Sequence, residues 1–158
     1  MPNPTPDLPR SVRIVHLHGA PQWAMNSNTE WRTMSGPSDV TTVPKPWGHE
    51  TIWAKTDRYV GKILHVKAGH ALSVQYHNKK DETVYLLSGE LIYWVKLPGS
   101  EELKDMKLRV GDAFRITPGT VHYMEAVTDC DVLEASTPEL DDVVRLQDRY
   151  GREGTSKA

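Results

Sequence analysis

The sequence predicts an all-β fold, a sandwich or small barrel, from three observations. Short runs of strand-forming residues recur at regular spacing over residues 49–55, 59–67, 71–77, 83–88, 90–96, 108–110, 113–117, 121–126 and 132–135. Turn formers separate them: Asn78-Lys79-Lys80-Asp81, Gly89, Gly111-Asp112 and Thr117-Pro118-Gly119-Thr120. The third observation is size and composition. A chain of 158 residues, 38% apolar and 25% charged, has the make-up of one globular domain with a single core.

Taken in order, residues 1–10 hold four prolines and are expected to form no regular structure. Residues 11–17 (SVRIVHL) alternate as a strand does. Residues 19–45 mix turn formers with Trp23, Met25, Trp31 and Met34, which reads as an irregular arm with apolar anchors. Such rings need a surface, either the chain's own barrel or a second subunit, and a strand-exchanged homodimer is expected. The His16-x-His18 pair is a weak metal signal that chance on an arm explains. After the nine strands, Thr137-Pro138 reads as N-cap and first helical residue. Acidic Glu139, Asp141 and Asp142 follow, with a Leu140, Val143, Val144 stripe and Gly151 as the stop, so a helix is expected over 138–152 and a disordered tail over 153–158.

Charge narrows the function classes. A net charge of -2 gives no electrostatic reason to expect nucleic acid or an anionic membrane surface, which leaves a small-molecule partner. No stretch reaches the roughly 20 apolar residues that span a bilayer. Cys130 is the single cysteine, so no intramolecular disulfide forms, and it reads as a small buried hydrophobe rather than a catalytic thiol. The first ten residues lack the apolar run of a signal peptide, so a cytoplasmic location is expected.

Two stretches carry the chemistry, GHALSVQYHNKKDETVYLLSG from Gly69 and GDAFRITPGTVH from Gly111. Strand alternation puts Gln75 and His77 on one face, and Glu82 on a shared face with Val84 and Leu86. A turn at 78–81 is expected to fold the two runs into a hairpin that returns Glu82 to His77, with His122 as a distant fourth donor. Two imidazoles, a carboxylate and an amide oxygen would hold one divalent cation with positions left open for substrate, and Zn, Mn, Fe, Ni and Co all accept that set. The alternative is a metal-free site in which these groups bond one another or a ligand.

The spacing of Gly69, Gln75, His77, Glu82 and Gly89, followed by Gly111, Pro118-Gly119 and His122, resembles the two motifs of the cupin superfamily. Within it the chain is similar to small single-domain relatives of type II mannose-6-phosphate isomerase. Pro46-Trp47-Gly48-His49-Glu50, Gly61-Lys62-Ile63-Leu64, Leu72 to His77 and the ending Leu140 to Arg152 carry that likeness, which covers residues 43–152. Gln75, where other cupins commonly have His, favours the isomerase-like branch. The chain departs from the isomerase signature at Lys80, Thr83 and Val84, where relatives carry Arg and His-Trp.

The resemblance implies an antiparallel jelly-roll cupin barrel over 43–137, with an N-terminal arm over 1–42. It also implies metal-dependent isomerisation of a sugar or sugar phosphate, or a related epimerisation or dehydration. An Fe(II) oxygenase and a non-catalytic carbohydrate-binding cupin are the alternatives. For the proton-moving group, Lys62 is the first candidate: if Lys67 faces solvent, Lys62 faces the interior, although the opposite parity makes it an ordinary surface lysine. Lys80 either holds an anion at the site mouth or is a solvated turn lysine, and solvation is the expected reading. Tyr85, Tyr93, Trp94 and Tyr123 are amphipathic rings that either stack on a sugar or build the core, and Tyr85 is the candidate contact. Arg145 and Arg152 either clamp an anionic substrate or pair with Asp141, Asp148 or Glu153. His49, His65, His70 and Tyr76 are expected away from the site.

Overall fold

The structure, a computed structural model, describes residues 36–97 and 99–155. The strand expected at 11–17, the His16 and His18 pair and the anchors Trp23, Met25, Trp31 and Met34 lie outside the described residues. The chain divides into two units, Met1–Pro37 and Ser38–Ala158, and the second carries everything below. Among the described residues it holds twelve strands and no helix. These are β1 (Thr41–Lys45), β2 (Gly48–Lys55), β3 (Val60–Val66), β4 (Val74–Tyr76), β5 (Glu82–Ser88) and β6 (Leu91–Lys96), then β7 (Leu103–Leu108), β8 (Ala113–Ile116), β9 (His122–Ala126), β10 (Cys130–Ser136), β11 (Val144–Gln147) and β12 (Gly154–Thr155).

They form two six-stranded antiparallel sheets, ordered β1-β2-β3-β10-β5-β8 and β12-β11-β4-β9-β6-β7. This is the expected jelly roll. Alternation along each strand turns one set of side chains inward, and the inner set changes character from one end of the barrel to the other. On β3 the inner residues run Val66, Leu64, Lys62; on β5, Leu86, Val84, Glu82; on β9, Ala126, Met124, His122. β10 contributes Val132, Glu134 and Ser136. Register aligns these steps, with Leu64 opposite Val132, Lys62 opposite Glu134 and Ser136 opposite Glu82. One end of the interior is therefore an apolar core around Val66, Leu86, Leu91, Tyr93 and Val132, and the other end is polar. Burial of the first supplies the driving force for folding, and the second holds the site.

Five elements differ from the sequence expectation. First, β4 and β5 do not pair as a hairpin: they lie in opposite sheets, and residues 77–81 cross between them. His77 and Glu82 still meet, because the two sheets face one another. Second, β1 lies inside the expected irregular arm. Its Pro44 is tolerated because β1 is an edge strand, where a missing N–H costs no ladder bond on the open side. Third, residues 103–108 form β7, a charged edge strand that the polar sequence LKDMKL disguised.

Fourth, the helix expected over 138–152 is absent. Residues 138–143 make tight turns instead, with Leu140 N–H to Pro138 O and Val143 N–H to Asp141 O, and Val144 onward becomes β11 on the free edge of β4. The β-branched pair Val143-Val144 suits that edge, and the Asp142 side chain is taken up by a neighbouring turn. Fifth, Gly154 and Thr155, expected in a disordered tail, pair with β11 as β12.

Gly89 closes β5 at φ +89°, where an added Cβ would lie 2.3 Å from Asp129 O and 2.7 Å from Cys130 Sγ. Gly89→Ala is therefore expected to destabilise the protein by about 1–3 kcal/mol, read as a lowered midpoint in chemical denaturation.

Candidate metal centre

His77, Glu82 and His122 converge at the polar end of the barrel, all three buried, with one ligand atom from each lying within 4.8 Å of the others. Strand parity delivers Glu82 from β5 and His122 from β9, and His77 follows directly after β4. The two imidazoles are oriented by their far nitrogens. His77 donates Nδ1–H to the Asp142 carbonyl, and His122 donates Nδ1–H to Thr120 O at 2.9 Å. A carbonyl only accepts, so Nδ1 must carry the proton in both rings. In the neutral rings Nε2 then presents a lone pair inward, toward Glu82 Oε2 at 3.5 Å for His77 and Glu82 Oε1 at 3.2 Å for His122. Lone pairs facing a carboxylate repel it unless a proton or a metal cation sits among them. Tyr93 stacks on the His122 ring at 6.2 Å, nearly parallel, and fixes its plane.

Gln75 lies directly opposite His122 across β4 and β9 and lines the same cavity. Its Oε1 accepts a hydrogen bond from Ser73 Oγ at 2.7 Å, which leaves a second lone pair for a cation. Burial alone would raise the Glu82 carboxyl, but hydrogen bonds donated by His122 and His77 when Nε2 also carries a proton, together with the Lys80 ammonium, outweigh it and hold Glu82 well below the usual carboxylate range. A metal cation would take the place of those Nε2 protons. Two neutral imidazole nitrogens, a carboxylate held in its charged form and an amide oxygen fit a divalent first-row metal.

Comparisons with known proteins bear on this arrangement. The family described as Cupin domain matches residues 62–135. Residues 62–135 are a cupin domain. The mannose-1-phosphate guanylyltransferase of Escherichia coli strain K12 is 34% identical over 119 residues, covering 70% of this chain and 23% of that protein. The Salmonella typhimurium enzyme ManC of the same name is 33% identical over the same shares. The chain thus spans less than a quarter of the length of the curated relatives it matches. Among solved structures, KdgF from Halomonas sp. is 25% identical with a TM-score of 0.52, over 66% of this chain and 92% of that one. Capsular polysaccharide assembling protein CapF from Staphylococcus aureus is 19% identical with a TM-score of 0.58, over 70% and 33%. A Bacillus subtilis oxalate decarboxylase, described by its Mn(II) centers, is 14% identical with a TM-score of 0.58, over 68% and 30%.

The cupin cavity beside the three ligand-type residues has a volume of about 320 Å³ and receives residues from both sheets and from the segment after β10. Its floor is a run of alternating charges laid across the first sheet. Lys45 on β1 reaches Glu50 on β2 at 3.1 Å, and Glu50 reaches Lys62 on β3 at 3.6 Å. Lys62 reaches Glu134 on β10 at 3.7 Å, and Glu134 reaches Lys80 at 2.7 Å. Lys80 closes the run by donating to Glu82.

Lys62 therefore faces the interior. Lys80, expected as a solvated turn lysine, is 4% exposed, because the crossing residues 77–81 bring it over the cavity rather than around a hairpin tip. Burial on its own would lower the Lys80 ammonium, yet Glu134 and then Glu82 raise it above the ordinary lysine value.

Arg145 and Arg152 line the cavity, and Arg145 stands opposite Gln75 in the sheet. Burial, with Arg152 nearby, pushes the Arg145 guanidinium below its usual value. Arg152 forms a bidentate pair with Asp148, at 2.8 and 2.9 Å.

Tyr85 lies outside the cavity, a correction to the sequence expectation: it has the parity opposite to Glu82 and Val84, faces outward, and is 38% exposed. His49 and His65 stack on each other at 4.9 Å, with His65 bonded to Asp131, away from the cavity lining. Cys130 is buried, and burial raises its thiol.

Sequence reasoning missed Glu134 and Glu50. A signal was present for Glu134: between Val132 and Ser136 it shares the parity of a buried strand face, where a charge demands partners. Removing one partner of a buried ion network leaves the others uncompensated. Glu134→Ala should therefore cost about 3–5 kcal/mol, measured by denaturant titration.

Acid should act through Asp148, whose carboxyl the Arg152 hydrogen bonds hold below its usual value. Its stabilising contribution is complete above about pH 4, the ordinary aspartate value, and is lost as pH falls toward the lower folded value. A pH series of thermal melts should show a shallower acid limb for Asp148→Asn than for the native chain.

Proposed function

We propose that the chain is a metal-dependent cupin acting on a sugar or sugar phosphate, by isomerisation or a related enolisation such as epimerisation or dehydration. The observation that carries this reading is the pair of imidazoles whose protons are committed to backbone carbonyls and whose lone pairs converge on a buried carboxylate. His77, Glu82 and His122, with Gln75 as a fourth donor, would hold the cation. When bound, a divalent metal supplies Lewis-acid polarisation of a carbonyl and its neighbouring hydroxyl.

The remaining roles fall to the chain itself. Lys62 and Glu134 form a charged floor that can take up and return a proton beside a bound sugar, and Lys80, whose ammonium is held above the ordinary lysine value, adds fixed positive charge there. Arg145, on the wall built by the C-terminal segment, supplies positive charge for a phosphate or carboxylate, while the charge of Arg152 beside it is already answered by Asp148. The cavity volume lies at the small end of small-molecule sites and suits one sugar unit. Likeness to enzymes named for mannose 1-phosphate supports a sugar phosphate as substrate class. A homodimer involving residues 1–42 and a cytoplasmic location complete the reading.

A second reading has one observation in its favour. Lys80 already occupies Glu82, so an internal ammonium can stand where a metal would, leaving a carbohydrate-binding cupin without turnover. Elemental analysis of the purified protein beside His77→Ala and Glu82→Ala separates the two. The enzymatic reading expects one metal per chain in the native protein, lost in both variants, and product on a sugar-phosphate panel followed by NMR. Sugar binding with neither metal nor product would establish the second reading in its place.

A further inference from the structure

The C-terminal segment does more than wall the cavity. Asp142 reaches back across more than sixty residues to the crossing between the two sheets. Its Oδ1 accepts Asn78 N–H at 3.0 Å and the Asn78 side-chain amide at 3.1 Å. Its Oδ2 accepts Lys79 N–H at 2.5 Å and Lys80 N–H at 2.9 Å. The main-chain carbonyl of the same residue takes the proton of His77 Nδ1. One residue thus grips both the turn that follows His77 and the ring of His77 itself. His122 is arranged differently, since its Nδ1 acceptor, Thr120 O, lies two residues away in the chain and is local.

We propose that Asp142 is the positioning residue of the ligand set: its carboxylate fixes the 78–80 turn, and through that turn its carbonyl fixes the proton and aim of His77. The metal relevance of this claim rests on the proposed function, whereas the positioning itself does not. With the carboxylate removed, three backbone N–H groups lose their acceptor, the turn relaxes, and the carbonyl no longer meets Nδ1. His77 then loses its fixed tautomer while His122 keeps its own. The same turn carries Lys80 over the cavity, so the ion pair to Glu134 loosens with it. Outer partners of metal-ligating histidines commonly change metal affinity by about 10- to 100-fold when removed.

The test uses the full ¹⁵N-labelled chain, stripped of metal with a chelator, as native protein, Asp142→Asn and Asp142→Ala. Long-range ¹H–¹⁵N imidazole spectra report the tautomer of each histidine, and Zn²⁺ titration reports affinity. The native chain should show Nδ1–H for both His77 and His122. Asp142→Ala should lose it for His77 alone and bind Zn²⁺ about 10- to 100-fold more weakly. Asp142→Asn, which keeps one acceptor oxygen and a near-identical shape, should fall between. An unchanged His77 in Asp142→Ala overturns the proposal. So does a joint change of His77 and His122 in Asp142→Asn, the mark of general loosening. If the native chain binds no Zn²⁺, the metal reading fails, and the metal-free spectra still decide the role of Asp142.

Discussion

Glu82 carries its charge inside the barrel, and most of the site is arranged around that fact. A carboxylate removed from water is costly unless partners surround it. The barrel supplies an ammonium from Lys80 on one side and, on the other, two imidazoles that answer the charge once a proton or a metal cation lies between. Lys80 in turn needs Glu134, Glu134 is shared with Lys62, and Lys62 leans on Glu50. From Lys45 to Glu134 each charge is answered by one on the neighbouring strand, and Lys80, from the crossing between the sheets, bridges Glu134 to Glu82, so the order of strands in the first sheet and the order of charges across the cavity run together.

That pattern explains how a small barrel can hold a packed core and a charged cavity side by side. The apolar end, from Val66 and Leu86 to Leu91 and Tyr93, supplies the packing that holds the sheets together. At the other end the same strands give up apolar burial for a network whose members are held by their neighbours. Preorganised charges of this kind do not need to rearrange when a substrate arrives. The network also leaves the interior chemically ambivalent, since Lys80 and a bound cation address the same carboxylate oxygens.

The fold class was legible in the sequence because strand periodicity and turn residues agree over most of the second half of the chain. Glu82 and His122 were legible because parity puts each on an inner face, and His77 because it follows directly after β4, although the sheets facing one another, and not a hairpin, bring it to Glu82. What could not be read was the partnering of distant segments. A turn of Asn78-Lys79-Lys80-Asp81 looks like a hairpin tip until Asp142 claims its amides, and Thr137-Pro138 followed by acids looks like a helix start until the open edge of β4 claims Val144. In both places a long-range contact overrides a local preference. Glu134 was missed because an inward charge has meaning only beside its partners Lys62, on another strand, and Lys80, in the crossing between the sheets. Lys80 was misjudged along with the hairpin that would have solvated it.

The C-terminal segment ties these threads together, lining the cavity with Arg145 and Arg152 while holding the crossing that aims His77. The central claim is that His77, Glu82 and His122 share one cation. A crystal structure of the protein grown with a divalent first-row metal, with anomalous data at its absorption edge, tests it most directly. The account predicts a single strong peak at bonding distance, about 2.0–2.2 Å, from both Nε2 atoms and a Glu82 oxygen. No peak there, with Lys80 still seated on Glu82, would contradict it.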